Sequence, residues 1–266
     1  MLSLHLPSPK VLRLGGAACV LVAVAACSDN NISGPTVDLN LSRVAGFNQL
    51  KAALVAARRE ANGGFNLDMW AAVVDRNGLV VAVVFTGATA TDQWPGSRVI
   101  AAQKANTANA FSLPRLALST ANLYAATQPG GTLFGLQEAN PTNEEVAYGG
   151  KAADYGTRKD HMVGKRIGGT NVFGGGLALY DDDGELVGGL GVSGDASCAD
   201  HNIAWKMRDK LQLDHVPAGV ADGGKDDNII YDFTNGVSAS GFGHPECSAQ
   251  ATSIGEALPQ THPIGR

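Results

Sequence analysis

Apolar positions follow two different periods along the chain. Between Val44 and Ala61, Phe47, Leu50, Leu54 and Ala57 recur at helical spacing, and Lys51, Arg58 and Arg59 occupy another face. Asn62-Gly63-Gly64 ends that helix. Two continuous apolar runs follow, Met69–Val74 and Leu79–Phe85, separated by Asp75-Arg76-Asn77-Gly78. An Asn-Gly between such runs predicts a β-hairpin, because the tight turn needs positive φ. The pattern recurs at Leu177–Tyr180 and Glu185–Val192, around Asp181-Asp182-Asp183-Gly184. A helix is expected after each hairpin. Ser97–Phe111 carries Ser97 as N-cap and small apolar positions at Val99, Ala102, Ala105 and Ala110, which suit close packing on a sheet. Ala199–Leu211 carries Ile203, Met207 and Leu211 at helical spacing, with Lys206, Arg208 and Lys210 opposite. The order of helix, hairpin, helix, hairpin, helix predicts an α+β domain with a central antiparallel sheet flanked by helices.

Two segments lack either period. Residues 112–170 are rich in Gly, Pro, Asn and Thr and read as a long loop insertion. Loops of that length inside a compact domain carry function or lack fixed structure. Residues 216–266 form a polar, Gly-rich C-terminal tail.

The N-terminus has its own pattern. Lys10 and Arg13 precede an apolar run from Leu14 to Ala26. That run is shorter than the roughly 20 residues a bilayer span needs, and its length suits a secretion signal. It ends Val24-Ala25-Ala26-Cys27, small residues before a cysteine, which resembles the lipobox of bacterial lipoproteins. Residues 1–26 are therefore expected to be a signal peptide. Cys27 would carry the lipid anchor, and residues 27–42 would be a flexible tether placing the protein outside the cytoplasm at a membrane. A plain signal peptide cut at an A-x-A-like site is the alternative.

Composition narrows the function. The 266 residues have a net charge of −5, which becomes −7 once Lys10 and Arg13 leave with the signal. No basic run offers clustered Lys and Arg for phosphate neutralisation, so nucleic acid is not an expected partner. With Cys19 in the signal and Cys27 lipidated, Cys198 and Cys247 remain. They stand in mirrored motifs, Cys198-Ala-Asp-His201 and His244-Pro-Glu-Cys247. Two readings are open. One is a Cys198–Cys247 disulfide suited to an oxidising compartment, and the other a tetrahedral zinc site using both His as well. Thiolates are required for zinc, so the readings exclude each other. Asp181-Asp182-Asp183-Gly184 lacks the spacing of a calcium loop and reads as a turn. A G-x-S-x-G nucleophile elbow is absent from the sequence.

Three segments carry a family resemblance. Ala72-Val73-Val74-Asp75-Arg76-Asn77-Gly78 resembles the "VAVVDxGG" strand and turn of the GlcG/HbpS-like family. Ala101-Ala102-Gln103-Lys104-Ala105-Asn106-Thr107-Ala108 is similar to its "AxxKAxTA" helix, and Gly188-Gly189-Leu190-Gly191-Val192-Ser193-Gly194 to its "GaiGVSG" strand. They occur in the family's order within residues 43–215. The resemblance implies a profilin-like fold, a symmetric homo-oligomer, and haem or a related tetrapyrrole as a small-molecule ligand that is bound or degraded. The signal, the insertion, the tail and Phe173-Gly174-Gly175-Gly176-Leu177, where the short form has a "PGGvPi" stretch, depart from the family's short form.

Haem needs an axial ligand and an apolar pocket. His201 and His244 are the expected ligand-side histidines. Lys104 could hold a propionate or form a structural ion pair. Ser193 sits beside Gly194, which permits close approach at the strand's end. His215 and His262 read as solvated loop residues. A haem-degrading enzyme and a cell-surface interaction module remain as alternatives.

Overall fold

The computed structural model describes residues 43–265, so the signal, Cys27 and the tether lie outside the described residues. The described chain begins with α1 (Phe47–Arg59), then β1 (Trp70–Asp75), β2 (Val80–Phe85) and α2 (Ser97–Phe111). Three short helices follow, α3 (Tyr124–Thr127), α4 (Leu136–Ala139) and α5 (Glu144–Tyr148). Next come β3 (Gly176–Tyr180), β4 (Leu186–Ser193) and α6 (Ser197–Lys210). The small ribbon β5 (Phe233–Thr234) and β6 (Val237–Ser238) precedes a last helix, α7 (Ala249–Thr261).

Both hairpins lie in one antiparallel sheet ordered β2-β1-β4-β3, joined where Trp70 pairs with Ser193 and Asp75 with Gly188. Gly78 and Gly184 take the positive φ that the two hairpin turns demand, 76° and 73°. Each sheet face is covered. Ala71, Val73, Val84, Leu177, Leu190 and Val192 pack under α1 and α6. Trp70, Ala72, Val74 and Val83 pack under α2 and part of the insertion. Burial on both faces explains why the strands read as continuous apolar runs.

Helix α2 lies unusually close to β4, and glycine is the reason. A Cβ at Gly191 would stand 1.9 Å from the Ala101 carbonyl oxygen, and one at Gly189 would stand 2.2 Å from that of Ala105. Ser97 is the first residue of α2 rather than its cap. Gly96 occupies the cap position and makes no side-chain cap hydrogen bond.

The insertion is more ordered than its composition suggests. Arg98 of α2 is buried, and its Nε donates to Asp160 at 2.8 Å while Nη1 donates to the Ala147 carbonyl at 2.7 Å. The guanidinium also stacks over Tyr155, 3.7 Å from the ring centroid. One α2 side chain thus fixes α5 and the turn at 156–162. Helix α7 was not evident in the sequence because Gly255 and Pro259 interrupt it. Gly255 lies against α6, where a Cβ would stand 3.2 Å from Asn202 Oδ1.

Candidate functional site

The first turns of α6 collect most of the residues singled out above. The helix begins directly after β4 through Gly194, whose φ of 149° few side chains adopt, and Asp195. Asp195 braces this entry by accepting from the backbone N–H groups of Phe65, at 2.8 Å, and Leu67, at 3.2 Å. Cys198 and Cys247 form a disulfide, which fastens the C-terminal segment to α6. The structure thus has the cross-link rather than the zinc tetrad.

Lys104 reaches this corner from α2. Its ammonium donates to Asp200 Oδ2 at 2.8 Å and to the Val192 carbonyl at 3.1 Å, and both side chains of the ion pair are buried. Asp200 Oδ1 also accepts from the Asp195 N–H at 2.9 Å. Burial pushes the Asp200 carboxyl up to about 6, with Lys104 pulling the other way. The glycine run explains how the pair meets, since a Cβ at Gly175 would stand 3.1 Å from Lys104 Nζ and 2.9 Å from Asp200 Cβ. Ser193, buried at the end of β4, lies one turn of chain before this helix.

The two histidines are neutral and enclosed. His201 is fully buried; its Nε2 lies 3.1 Å from Asn228 Oδ1 and 3.2 Å from the Ile229 nitrogen. Burial lowers its pKa to about 4. His244 is 3% exposed, and burial likewise lowers its pKa to about 4. Its Nδ1 donates to the Pro245 carbonyl at 2.7 Å, which leaves Nε2 as an acceptor for Ser197 Oγ at 3.3 Å. Tyr124 packs beside it, with ring centroids 5.0 Å apart, and also touches Phe173 and Phe233. Asn228 and Ile229 of the C-terminal segment therefore cover His201, and His244, carried by the same segment, is enclosed against Ser197 and Tyr124.

A second place gathers different residues. His215, Val216, Pro217, Lys225 and Ile264 line an open groove of about 710 Å³ beside the β3–β4 turn. The side chain of His215 is 24% exposed, so it is less solvated than its loop position suggested. Asp200 and Asn228 are the contributors that the sequence did not single out. Asp200 stands inside the Cys198–His201 motif, but nothing local marks it as the partner of a lysine 96 residues away.

A four-stranded antiparallel sheet between helical layers, with glycine-relieved helix contacts and a lysine held beside β4, defines an α+β domain of the type expected from the three motifs. The family model described as "Haem degrading protein HbpS-like" matches residues 47–208, and the chain belongs to that family. Among solved structures the chain is similar to the PduOC:heme complex, at 26% identity over 62% of this chain and 91% of that chain, with a TM-score of 0.43. It is also similar to Klebsiella pneumoniae protein ORFY, at 24% identity over 62% and 86% of the two chains, with a TM-score of 0.42. A double mutant of Streptomyces reticuli HbpS matches at 18% identity over 75% and 97%, with a TM-score of 0.36. No curated protein matches the chain.

Proposed function

We propose that this chain binds haem or a related tetrapyrrole outside the cytoplasm, anchored to a membrane through lipid on Cys27 and assembled as a homo-oligomer. Membership of a family described as haem-degrading carries the ligand class. The Cys198–Cys247 disulfide supports the compartment, since such bonds persist where thiols are not kept reduced.

The residues present fit the group in two places, with different requirements. Around the 710 Å³ groove, His215 offers an imidazole, Val216, Pro217 and Ile264 an apolar wall, and Lys225, which is paired with Asp222, a cation for a propionate, while Asp182 and Asp183 in the same lining would repel one. A bound haem would supply redox-active iron there, and these residues would orient it and shield one face from water. At the α6 corner, His201 and His244 offer imidazoles near the Lys104–Asp200 pair, but the segment 226–247, which itself carries His244, would have to move away from His201 to admit a macrocycle between them.

Haemin titration of the mature protein carrying Cys27→Ser tests the reading and separates the two places. A sharp Soret band at one haem per subunit is expected. Its loss in His215→Ala assigns the groove, and its loss in His201→Ala or His244→Ala assigns the corner. A band no sharper than nonspecific haemin uptake would overturn the proposal and favour an interaction module without a small ligand. The family's description also favours a second reading, oxidative haem degradation. Bleaching of the bound band under a reductant and oxygen, with release of iron, distinguishes degradation from storage.

A further inference from the structure

Cys198, Cys247 and His244 place three potential ligand atoms within 4.8 Å of one another. One stands on α6, and two stand on the segment packed over it. The orientation of His244 is fixed from the far side. Because Nδ1 donates to the Pro245 carbonyl, Nε2 keeps its lone pair, and it faces Ser197 Oγ, which itself lies 3.6 Å from Cys247 Sγ. Its contacts there are long, 3.3 Å to Ser197 Oγ and 3.5 Å to the Gly174 nitrogen. Cys247 is exposed, which gives the group a route from solvent. His201, the fourth member of the mirrored motif, is turned away toward Asn228.

We propose that reduction of the Cys198–Cys247 bond turns this corner into a binding site for a thiophilic cation of the Zn2+ class, held by two thiolates and His244 Nε2. A dithiol reductant supplies two electrons and two protons. The S–S bond breaks, two thiols form, and the dithiol closes to its own disulfide. The cation then displaces both thiol protons, which pass to water. Zinc–sulfur and zinc–nitrogen bonds of about 2.3 and 2.0 Å set tetrahedral ligand atoms roughly 3.3–3.8 Å apart. The two sulfurs, once unbonded, can part to that spacing, and the imidazole is already beside them. Ser197 Oγ, 3.6 Å from Cys247 Sγ, borders the fourth position, which water would fill. The site replaces a covalent fastening of the C-terminal segment by a coordinate one, and its test needs no haem.

The test uses the chain with Cys27→Ser, reduced with a dithiol, desalted anaerobically and titrated with Co2+ and then Zn2+. One Co2+ per chain is expected, with thiolate-to-cobalt charge transfer and tetrahedral ligand-field bands that Zn2+ abolishes. The oxidised chain should show neither band. His244→Gln should weaken Co2+ binding by at least about tenfold. X-ray absorption of the zinc-loaded natural sequence needs no site variant and should count two sulfurs and one imidazole. The proposal is overturned if the reduced chain shows no cobalt–thiolate band, if the oxidised chain shows the same band, or if the absorption shell lacks imidazole. A reduced chain that loses its near-ultraviolet dichroism and does not regain it with metal also overturns it.

Discussion

Replacing Asp227 by Asn tests what holds the C-terminal segment against the domain. Arg208 of α6 donates to Asp227 through Nη1 at 2.8 Å and Nη2 at 2.7 Å, and Nη1 also donates to the Ala178 carbonyl of β3 at 3.1 Å. The side chains are 1% and 0% exposed, so water does not screen the pair. Breaking a buried pair from one side leaves an uncompensated charge and costs about 3–5 kcal/mol, a large share of the roughly 5–15 kcal/mol that holds a domain folded. Asp227→Asn should therefore lower unfolding free energy by about that amount. Urea unfolding reports it through Trp205, whose ring lies 4.9 Å from the Arg208 guanidinium. The pair itself need not be worth as much, because both charges also lost their water. Arg208→Met with Asp227→Leu removes both charges and keeps apolar volume, so the double variant should be at least about 2 kcal/mol more stable than the two single costs added together. The reasoning fails if Asp227→Asn costs less than about 1 kcal/mol, or if the two single costs simply add.

Other perturbations follow from the same geometry. Reduction in the presence of a chelator should cost about 4 kcal/mol on the chain-entropy model for a loop closed across 49 residues, a fall in Tm of roughly 8–16 °C; a calorimetric shift of only a few degrees would contradict this. His201, lowered from 6.5 to about 4, favours the folded state while neutral, so its contribution is full above pH 6.5 and is lost as pH falls toward 4, about 3 kcal/mol in all. Asp200, raised to about 6, acts in the opposite sense: its contribution is full below 3.8 and is lost as pH rises through 6. His201→Gln should flatten the acid limb of a stability–pH curve, and an unchanged limb would show that another group governs it. Gly191→Ala should cost about 3 kcal/mol or more, because the new Cβ meets backbone 1.9 Å away. Gly184→Ala, with open space around it, should cost only the positive-φ penalty of about 1–2 kcal/mol; equal losses at the two glycines would refute the close-packing account of α2.

The parts that were legible in the sequence are those whose cause is local. Asp75-Arg76-Asn77-Gly78 and the Val-rich runs beside it state a hairpin within Met69–Phe85, and the second hairpin repeats the pattern, so the antiparallel sheet is readable from the sequence. The mirrored Cys and His spacings marked the α6 corner but left cross-link and metal as alternatives, because spacing along the chain does not say which atoms face one another. What the sequence concealed depends on distant partners. Arg98 meets Asp160 across 62 residues, Lys104 meets Asp200 across 96, and Arg208 meets Asp227 across 19. On a helical wheel Arg208 looks like Lys210, a cation on the polar face; only the folded chain reveals that one is sealed and the other 29% exposed.

Those concealed pairs share a physical logic. The insertion and the C-terminal tail are rich in Gly, Pro and polar residues, and each adds only a few apolar side chains to the core, among them Val146, Ala147, Met162 and Ile167 from the insertion and Ile229, Ala251 and Leu258 from the tail. Each is also pinned by a buried cation projecting from a core helix, Arg98 of α2 for the insertion and Arg208 of α6 for the tail, with the disulfide as a further fastening of the tail. A segment held this way is ordered conditionally. Its position depends on an ion pair, a few apolar side chains and scattered hydrogen bonds, whereas the sheet rests on two continuous apolar layers. Asp227→Asn should therefore expose residues 226–247 to proteolysis under conditions where the β-strands still resist hydrogen exchange. If tail and sheet instead lose protection together, the tail is part of the cooperative core, and the idea that it can lift from His201 fails with that result.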